Sequence, residues 1–436
     1  MNKLIGLLER YKHYLVVFGF TIASHGLGFG REVSIAYLFG TSSVSDGLLV
    51  GLAPLNLYIM VIGLGYANAA IARIKSPDNS RLINLSFYPI PVMAIIIACV
   101  FFFFNETIIA ITAPGLKGEG VILARQIVLA SALGAGVASV YFWSRSIRHL
   151  NKQFLRVSMS ELLPNLGILL GIFVLYRFIG VTGIAVGITL GYVLQLGFVF
   201  EPGRVNWRGF TLAALFDKDI KLIYKNTMLS ALGVSGLIVD LFVDRYFASQ
   251  LAEGSIAAIN FAHKVMTLPL FTLVLAVVTV MFPRLIGLRD DMAGFNRLKV
   301  KTNWLLVGFC LLNSLIFIYF SHGIISLLFN YGQFDAADVA ATAPLLSIYA
   351  AGLTAHALVL YNAKVRYALE DFKTPLYAGA CAALVNLVLD FLLVDTYGTA
   401  GLASATSIAA CVNAAILITR KQPENHSGSV VEAEAL

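Results

Sequence analysis

The sequence predicts an all-α polytopic membrane protein. Of the 436 residues, 58% are hydrophobic and only 13% are charged, which leaves too few polar side chains to cover a soluble fold of this size. Apolar runs of membrane-spanning length recur along the whole chain. We therefore expect about twelve transmembrane helices, arranged as two six-helix bundles around a central cleft.

The predicted spans follow one another with mostly short connections. They cover approximately residues 14–39, 44–72, 82–104, 120–144, 158–178, 181–201, 222–248, 255–282, 302–321, 340–363, 374–394 and 399–419. A long basic connection between the sixth and seventh spans divides the chain, and each half opens with a charged span followed by a proline-bearing one. This organisation predicts an N-terminal bundle (1–201), a cytoplasmic connection (202–221), a C-terminal bundle (222–421) and a polar tail (422–436).

The basic residues predict the orientation in the membrane. With the N-terminus inside, about 25 of the 31 lysines and arginines fall in cytoplasmic segments, as the positive-inside rule requires. We therefore expect both termini on the cytoplasmic side. The net charge of +7 then reflects orientation, and we expect no nucleic-acid partner.

The sequence contains none of the motifs that would indicate an enzyme. Walker-type glycine loops, His-Glu-x-x-His and paired thiols are absent from it. The cysteines lie in apolar runs without metal-ligand spacing, as expected of packing residues: Cys99, Cys310, Cys381 and Cys411. We expect no catalysis, no cofactor and no metal, so transport energy would come from the membrane potential or an ion gradient.

A polar stretch interrupts the first span at residues 24–32, with the sequence SHGLGFGRE. Ionisable groups at bilayer depth are costly and usually face a polar cavity. We therefore interpret this stretch as one wall of a site between the bundles. Helix interruptions at corresponding positions of two halves indicate a binding region, and we expect bends at Gly28, Gly30, Pro54 and Pro269.

Several motifs resemble the MurJ/MviN family of lipid II flippases, and the resemblance is collinear over nearly the whole chain. They are SHGLGFGRE at 24–32, LFG at 38–40, AHKVMTLP at 262–269, FNYGQFD at 329–335 and DFKTP at 371–375. The chain resembles a divergent member with about twelve spans. The resemblance implies the MATE-like fold of the MOP flippase superfamily, location in the bacterial inner membrane, and flipping of an undecaprenyl-pyrophosphate-linked sugar or peptidoglycan precursor.

The resemblance and the charge pattern together predict a substrate-binding set of Arg31, Lys264, His25 and His263. A guanidinium suits a pyrophosphate because it offers a rigid fork of donors, whereas a lysine binds phosphate as a point charge. His25 stands where the family has an arginine, and His263 and Lys264 stand where it has Asp-Arg. The structural alternatives are an Arg31–Glu32 pair, a packing histidine and a lysine stem buried in the bundle.

Acidic residues within the spans are candidates for ion coupling. Glu32 and Asp240 could serve as ion or counter-ion sites. Asp244 is expected near the outer end and solvated, and Asp390 is expected in a solvated or helix-packing position. Asp46 is expected to cap the second span, where a carboxylate suits a helix N-terminus.

Three functions remain open on these grounds. The first is a flippase for lipid-linked glycans that works by alternating access, with membrane lipids around it and as a monomer. The second is a cation-coupled exporter of small molecules on the same fold. The third is a membrane scaffold that does not transport and instead binds glycan-synthesis enzymes.

Overall fold

The computed structural model describes residues 2–76, 78–206 and 210–420. Within these ranges, the side chains of residues 2–15, 17, 18, 64, 204 and 229–241 lie outside the description. The described residues form helices and connections, with no strand among them.

Twelve long helices follow one another along the described residues. They are α1 (Asn2–Phe39), α2 (Ser43–Ile74), α3 (Ser80–Phe103), α4 (Glu119–Leu150), α5 (Phe154–Ile179), α6 (Val181–Val199), α7 (Lys218–Ala248), α8 (Ser255–Gly287), α9 (Met292–Phe329), α10 (Ala336–Ala368), α11 (373–397) and α12 (399–419). The last two belong to the segment Lys373–Thr419, which turns at Gly398, where φ is 54°. A glycine adopts this left-handed conformation without strain.

The predicted all-α membrane fold is confirmed. By length and composition, 9 helical segments of the described chain could cross a membrane, with Lys373–Thr419 counted as one. α1 and α7 contain undescribed side chains and are not in that count. Several helices extend beyond the predicted spans, as α9 does at Met292, because a helix continues into water where hydropathy no longer marks it. The predicted polar tail, 422–436, lies outside the described residues.

Three helices in the described part of the chain contain short π-helical segments. These lie at Val61–Tyr66 in α2, Gly171–Leu175 in α5 and Leu270–Val274 in α8. Pro269 directly precedes the segment in α8, and its missing N–H removes one α-helical hydrogen bond there. Such wide turns are frequent at functional positions.

The predicted hinge positions are placed differently in the structure. Pro54 lies within α2, one to two turns before the π segment at Val61–Tyr66, and Pro269 lies at the π segment of α8. Gly28 and Gly30, in contrast, belong to an uninterrupted α1. Bending at any of these positions during transport stays a prediction.

The two halves of the chain repeat the same anchoring device. Near the end of α4, the Nε of Arg148 donates to the carbonyl of Val199 over 2.8 Å. Near the end of α10, the Nε of Arg366 donates to the carbonyl of Leu417 over 3.1 Å. The donor and acceptor are 51 residues apart in both cases, so the fourth span of each half is fastened to its sixth.

Further features recur in register with these arginines. Each guanidinium also bonds a side chain 5 residues on, Gln153 in the first half and Asp371 in the second. Burial raises the pKa of Asp371, but hydrogen bonds from Thr374 and the charge of Arg366 hold it below its usual value. Matched left-handed backbone positions follow at Lys152 and Glu370 and at Gly180 and Gly398. The two halves, whose repeat is weak in the sequence, therefore repeat clearly in the structure.

This repeat supports a stability prediction. Arg148 and Arg366 are each only 2% exposed, and truncation would leave buried carbonyl acceptors without donors. We expect Arg148→Ala and Arg366→Ala each to destabilise the protein by about 3 kcal/mol or more, measured by unfolding in mixed detergent micelles. Exposed Arg297→Ala is the control. Equal stability of Arg366→Ala and Arg297→Ala would contradict the anchoring role.

Helix α7 joins the two halves. It packs along the last helical segment, 373–419, and its N-terminal portion also packs against the π segment and the end of α2. The second half therefore begins with a helix that contacts both bundles, and movement between the bundles must alter its contacts.

Candidate functional site

A cavity of about 370 Å³ lies between α1, α5 and α8. Polar side chains from both halves line it, namely Ser24, His25, Arg31, Asn165, Lys264, Thr267 and Thr272. Three of the four predicted substrate-binding residues therefore meet in one space. Arg31 and Lys264 reach it from opposite halves of the chain, because α1 and α8 both border the cleft.

Arg31 forms the ion pair that the structural alternative anticipated. Its Nη2 lies 2.6 Å from Oε1 of Glu32, although neighbouring helical residues point about 100° apart. The guanidinium folds back to make this contact and remains 23% exposed, whereas Glu32 is 2% exposed. Asn260 of α8 donates to the other carboxylate oxygen of Glu32 over 2.9 Å. Arg31 thus lines the cavity while Glu32 links the two halves.

Asn165 is a cavity residue that the sequence analysis missed. Its Nδ2 donates to the carbonyl of Ser24 over 3.2 Å, and its Oδ1 lies 3.5 Å from Nη1 of Arg31. A Cβ atom on Gly28 would lie 3.7 Å from the amide, so this glycine leaves room for it. Asparagine within an apolar span was the available signal, and it applies equally to Asn260.

The two predicted histidines have different surroundings. His25 lines the cavity and stacks on Phe271 of α8, with ring centroids 5.4 Å apart and planes 17° from parallel. His263 does not line the cavity. Its ring packs edge-on against Tyr349 of α10 at 5.3 Å. Since consecutive helical residues diverge by about 100°, Lys264 reaches the cleft and His263 is turned into the second bundle.

The charge around Glu32 is predominantly positive. The charges of Arg31 and Lys264 act on its carboxylate, and the charge of Arg245 in α7 does so as well. Asp244 acts on Arg245 as well, so two carboxylates face three cations among the described residues. The remaining positive charge favours an anionic ligand.

A second polar cluster lies inside the C-terminal half. Asn386 donates to Asp390 over 2.8 Å and to Asp244 over 3.2 Å, and Thr406 lies 3.4 Å from Asp244. Asp390 is 0% exposed, which fits the helix-packing position expected as one alternative for it. Asp244 is partly buried and is bonded by α11 and α12, so the expectation that it is solvated is wrong. The side chain of Asp240, the other predicted ion site, lies outside the described residues.

The ends of α1 and α2 contact the second half closely. Asp46 accepts hydrogen bonds from the backbone N–H groups of Gly254 and Ala257, both over 2.8 Å. The expectation that Asp46 caps its own helix is wrong, because Ser42 occupies that role in α2. The carboxylate instead satisfies the free donors at the start of α8, in the other bundle.

Further contacts close the same end of the molecule. The N–H of Gln333 donates to the carbonyl of Tyr37 over 2.8 Å. Thr41 binds Asp338 through both its backbone N–H, over 3.2 Å, and its hydroxyl. Two bundles joined at one end, with a cationic cavity between them, define a membrane transporter of the alternating-access type.

Comparisons with known proteins agree with this class. The family described as "Lipid II flippase MurJ" matches residues 35–433. A relative from Aquifex aeolicus, "Probable lipid II flippase MurJ", is 25% identical over 404 residues, which cover 89% of this chain and 79% of the relative. The chain belongs to the MurJ family.

Solved structures show the same fold. "Lipid II flippase MurJ, inward closed conformation" superposes with a TM-score of 0.82 and 23% identity, covering 92% of this chain and 86% of that one. A multidrug resistance MATE family transporter of the MOP superfamily in its inward-facing conformation gives a TM-score of 0.73 with 16% identity, covering 92% and 96%. The predicted MATE-like architecture is thereby confirmed.

Proposed function

We propose that this protein flips an undecaprenyl-pyrophosphate-linked glycan, of the lipid II class, across the bacterial inner membrane. The observation that carries the proposal is the cavity that Arg31 and Lys264 line from opposite halves. The relatives named as lipid II flippases support the same substrate class. The polyprenyl tail would stay in the bilayer while the headgroup crosses between the bundles.

The geometry suggests how an anion would be exchanged. Glu32 holds the guanidinium of Arg31 at 2.6 Å. A pyrophosphate entering the cavity would compete with Glu32 for the guanidinium, with Lys264 as a second cation. Glu32 also contacts Asn260 across the interface, so substrate binding and the contact between the halves are connected through one carboxylate.

The direction of entry follows from the proposed orientation. If both termini are cytoplasmic, as the basic residues indicate, the end of α1 near Thr41 faces outward. The bundles are joined at that end. The cavity would then receive substrate from the cytoplasmic side, and rocking of the halves would open the outer contacts and release it.

A reconstituted assay tests the proposal. Purified full-length protein in liposomes should move a fluorescent lipid II analogue between leaflets, and expression should rescue cells that lack their lipid II flippase. Absence of flipping with all undecaprenyl-pyrophosphate-linked glycans, together with capture of glycan-synthesis enzymes, would favour the scaffold alternative. We also propose that the protein acts as a monomer, which mass photometry of the active sample would check.

The cluster in the second half favours coupling to a cation. Carboxylate, amide and hydroxyl oxygens converge there, and the Oδ1 of buried Asn386 has no hydrogen-bond partner among the described residues. Hard cations prefer such oxygen donors. Coupling would serve the proposed flippase, and it would equally serve a cation-coupled exporter.

This coupling makes a specific prediction. Asp390→Asn should remove the response of transport to an imposed Na⁺ or H⁺ gradient, because it deletes a buried negative charge without changing side-chain volume. Exposed Asp395→Asn, in the same helix, is the matched control. Flipping rates would be measured in liposomes with opposed gradients. A variant that retains the full gradient response would exclude Asp390 from coupling.

A further inference from the structure

A second, apolar groove lies on the surface between the first bundle and α7, away from the cationic cavity. It has a volume of about 330 Å³ and an almost wholly apolar lining. Its walls come from three helices, with Val61 and Tyr66 from α2, Met93 and Ile96 from α3, and Thr227 and Met228 from α7. One wall is therefore the π segment of α2, and another belongs to the second half of the chain.

The groove opens toward the region that lipid occupies. Met228 is 67% exposed and Ile96 is 57% exposed, and both belong to predicted membrane spans. An apolar cleft within predicted membrane spans is suited to a hydrocarbon chain, which needs no hydrogen-bond partners. The polar hydroxyl of Tyr66 is already satisfied by the carbonyl of Ser86 at 2.6 Å.

A stripe of lysines precedes the groove-lining residues Thr227 and Met228 along α7. Lys218, Lys221 and Lys225 are all exposed, and their spacing places them on one face of α7. From Lys221 to Met228 the helix rises about 10 Å, so the ammonium groups precede the groove along the same helix. None of the three is ion-paired among the described residues.

The neighbouring acids do not neutralise this stripe. Asp219 is bound by Arg73, whose Nε lies 2.8 Å from its Oδ1. Asp217 pairs with Arg81 over 3.2 Å. These two ion pairs fasten the start of α7 to the first bundle and leave the lysine charges available.

We propose that this groove binds one anionic phospholipid, with its headgroup on the lysine stripe and an acyl chain in the groove. Charge complementarity selects an anionic headgroup, and the apolar lining accepts the chain. The bound lipid would contact α2 and α3 of one half and α7 of the other. It would therefore bridge the two halves at the end opposite the Asp46 contact.

Native mass spectrometry of the purified full-length protein tests the proposal. Phosphatidylglycerol and phosphatidylcholine with identical acyl chains are titrated separately. We expect one phosphatidylglycerol to bind at least tenfold more tightly than phosphatidylcholine. The triple variant Lys218→Gln, Lys221→Gln, Lys225→Gln should weaken that binding by about 100-fold, since each lysine near an anionic headgroup contributes about fivefold.

Two further variants separate the groove from general surface charge. Arg284→Gln, Arg297→Gln, Lys301→Gln removes the same exposed charge elsewhere and should leave phosphatidylglycerol binding unchanged. Thr227→Trp should block the groove and abolish binding, with folding checked by thermal unfolding. A phosphatidylglycerol carrying a diazirine in its acyl chain should label peptides that contain Met93 and Met228.

Several results would overturn the proposal. Equal affinity for the two phospholipids would remove the role of the lysines, as would equal weakening by the two triple variants. Labelling confined to other helices would remove the groove. Displacement of phosphatidylglycerol by undecaprenyl phosphate at lower concentration would assign the groove to the tail of a polyprenyl substrate instead.

Discussion

Arg31→Ala is expected to reduce flipping by at least about 100-fold, since it removes charge-assisted hydrogen bonds to the pyrophosphate worth about 3 kcal/mol. The rate would be measured in liposomes with a fluorescent lipid II analogue. Arg31→Lys keeps the charge and loses the forked geometry, so we expect it to retain an intermediate rate. Arg125→Ala removes an exposed cation of the same half that pairs with Glu106, and it should transport normally.

The ion pair between Arg31 and Glu32 means that Arg31→Ala changes stability as well as substrate binding. A second substitution at Glu32 provides the control. Glu32 is 2% exposed and pairs with Arg31, so Arg31→Ala leaves a buried carboxylate with less compensation. Removing one partner of a buried ion pair costs about 3–5 kcal/mol. We therefore expect the single variant to lose stability as well as transport.

The double variant Arg31→Ala, Glu32→Gln separates the two effects. The neutral amide removes the buried charge and can still bond Asn260, so stability should recover toward that of the unmodified protein. Flipping should stay lost, because no guanidinium remains for the substrate. If the double variant transports normally, Arg31 serves only to neutralise Glu32, and its assignment to substrate binding fails.

The helices were predictable because each is long and apolar. A transmembrane span is recognised from about twenty consecutive apolar residues, and the glycine at 398 separates two such runs. The approach of Arg31 and Lys264 to one cavity was predictable for a related reason. Charged side chains inside spans are costly in lipid and usually face a polar cavity in the bundle. The direction in which each side chain of α8 points was harder to predict. Whether His263 or Lys264 faces the cleft depends on the rotation of α8 about its axis.

Contacts between distant segments were not predictable. Asp46 has the sequence position of a cap for α2, yet it binds Gly254, 208 residues away. Only the approach of the two bundles decides which helix receives the carboxylate. Asp244 was likewise expected to be an outer, solvated residue, yet Asn386 of α11 and Thr406 of α12 bond it. Sequence pattern reports the local surroundings of a residue, whereas these roles depend on packing between halves.

Cross-linking the outer contact is expected to stop transport reversibly. Thr41 and Asp338 are hydrogen-bonded through their side chains, so cysteines at both positions can be joined by a disulfide, directly or through a short bis-methanethiosulfonate linker where the Cβ atoms are too far apart. In a background without Cys99, Cys310, Cys381 and Cys411, oxidised Thr41→Cys, Asp338→Cys should lose flipping by more than about tenfold, because a disulfide cannot lengthen as the bundles separate. Reductant should restore the rate.

A cross-link within one half provides the matched control. A Cβ atom on Gly136 of α4 would lie 3.5 Å from the Cβ of Ala94 of α3, which suits a disulfide, and both residues belong to the first bundle. Ala94→Cys, Gly136→Cys should therefore form a disulfide that moves with the bundle and leaves flipping intact. If the Thr41–Asp338 disulfide forms and flipping continues, the outer contact does not open during transport, and the bundles cannot alternate about the cavity as proposed.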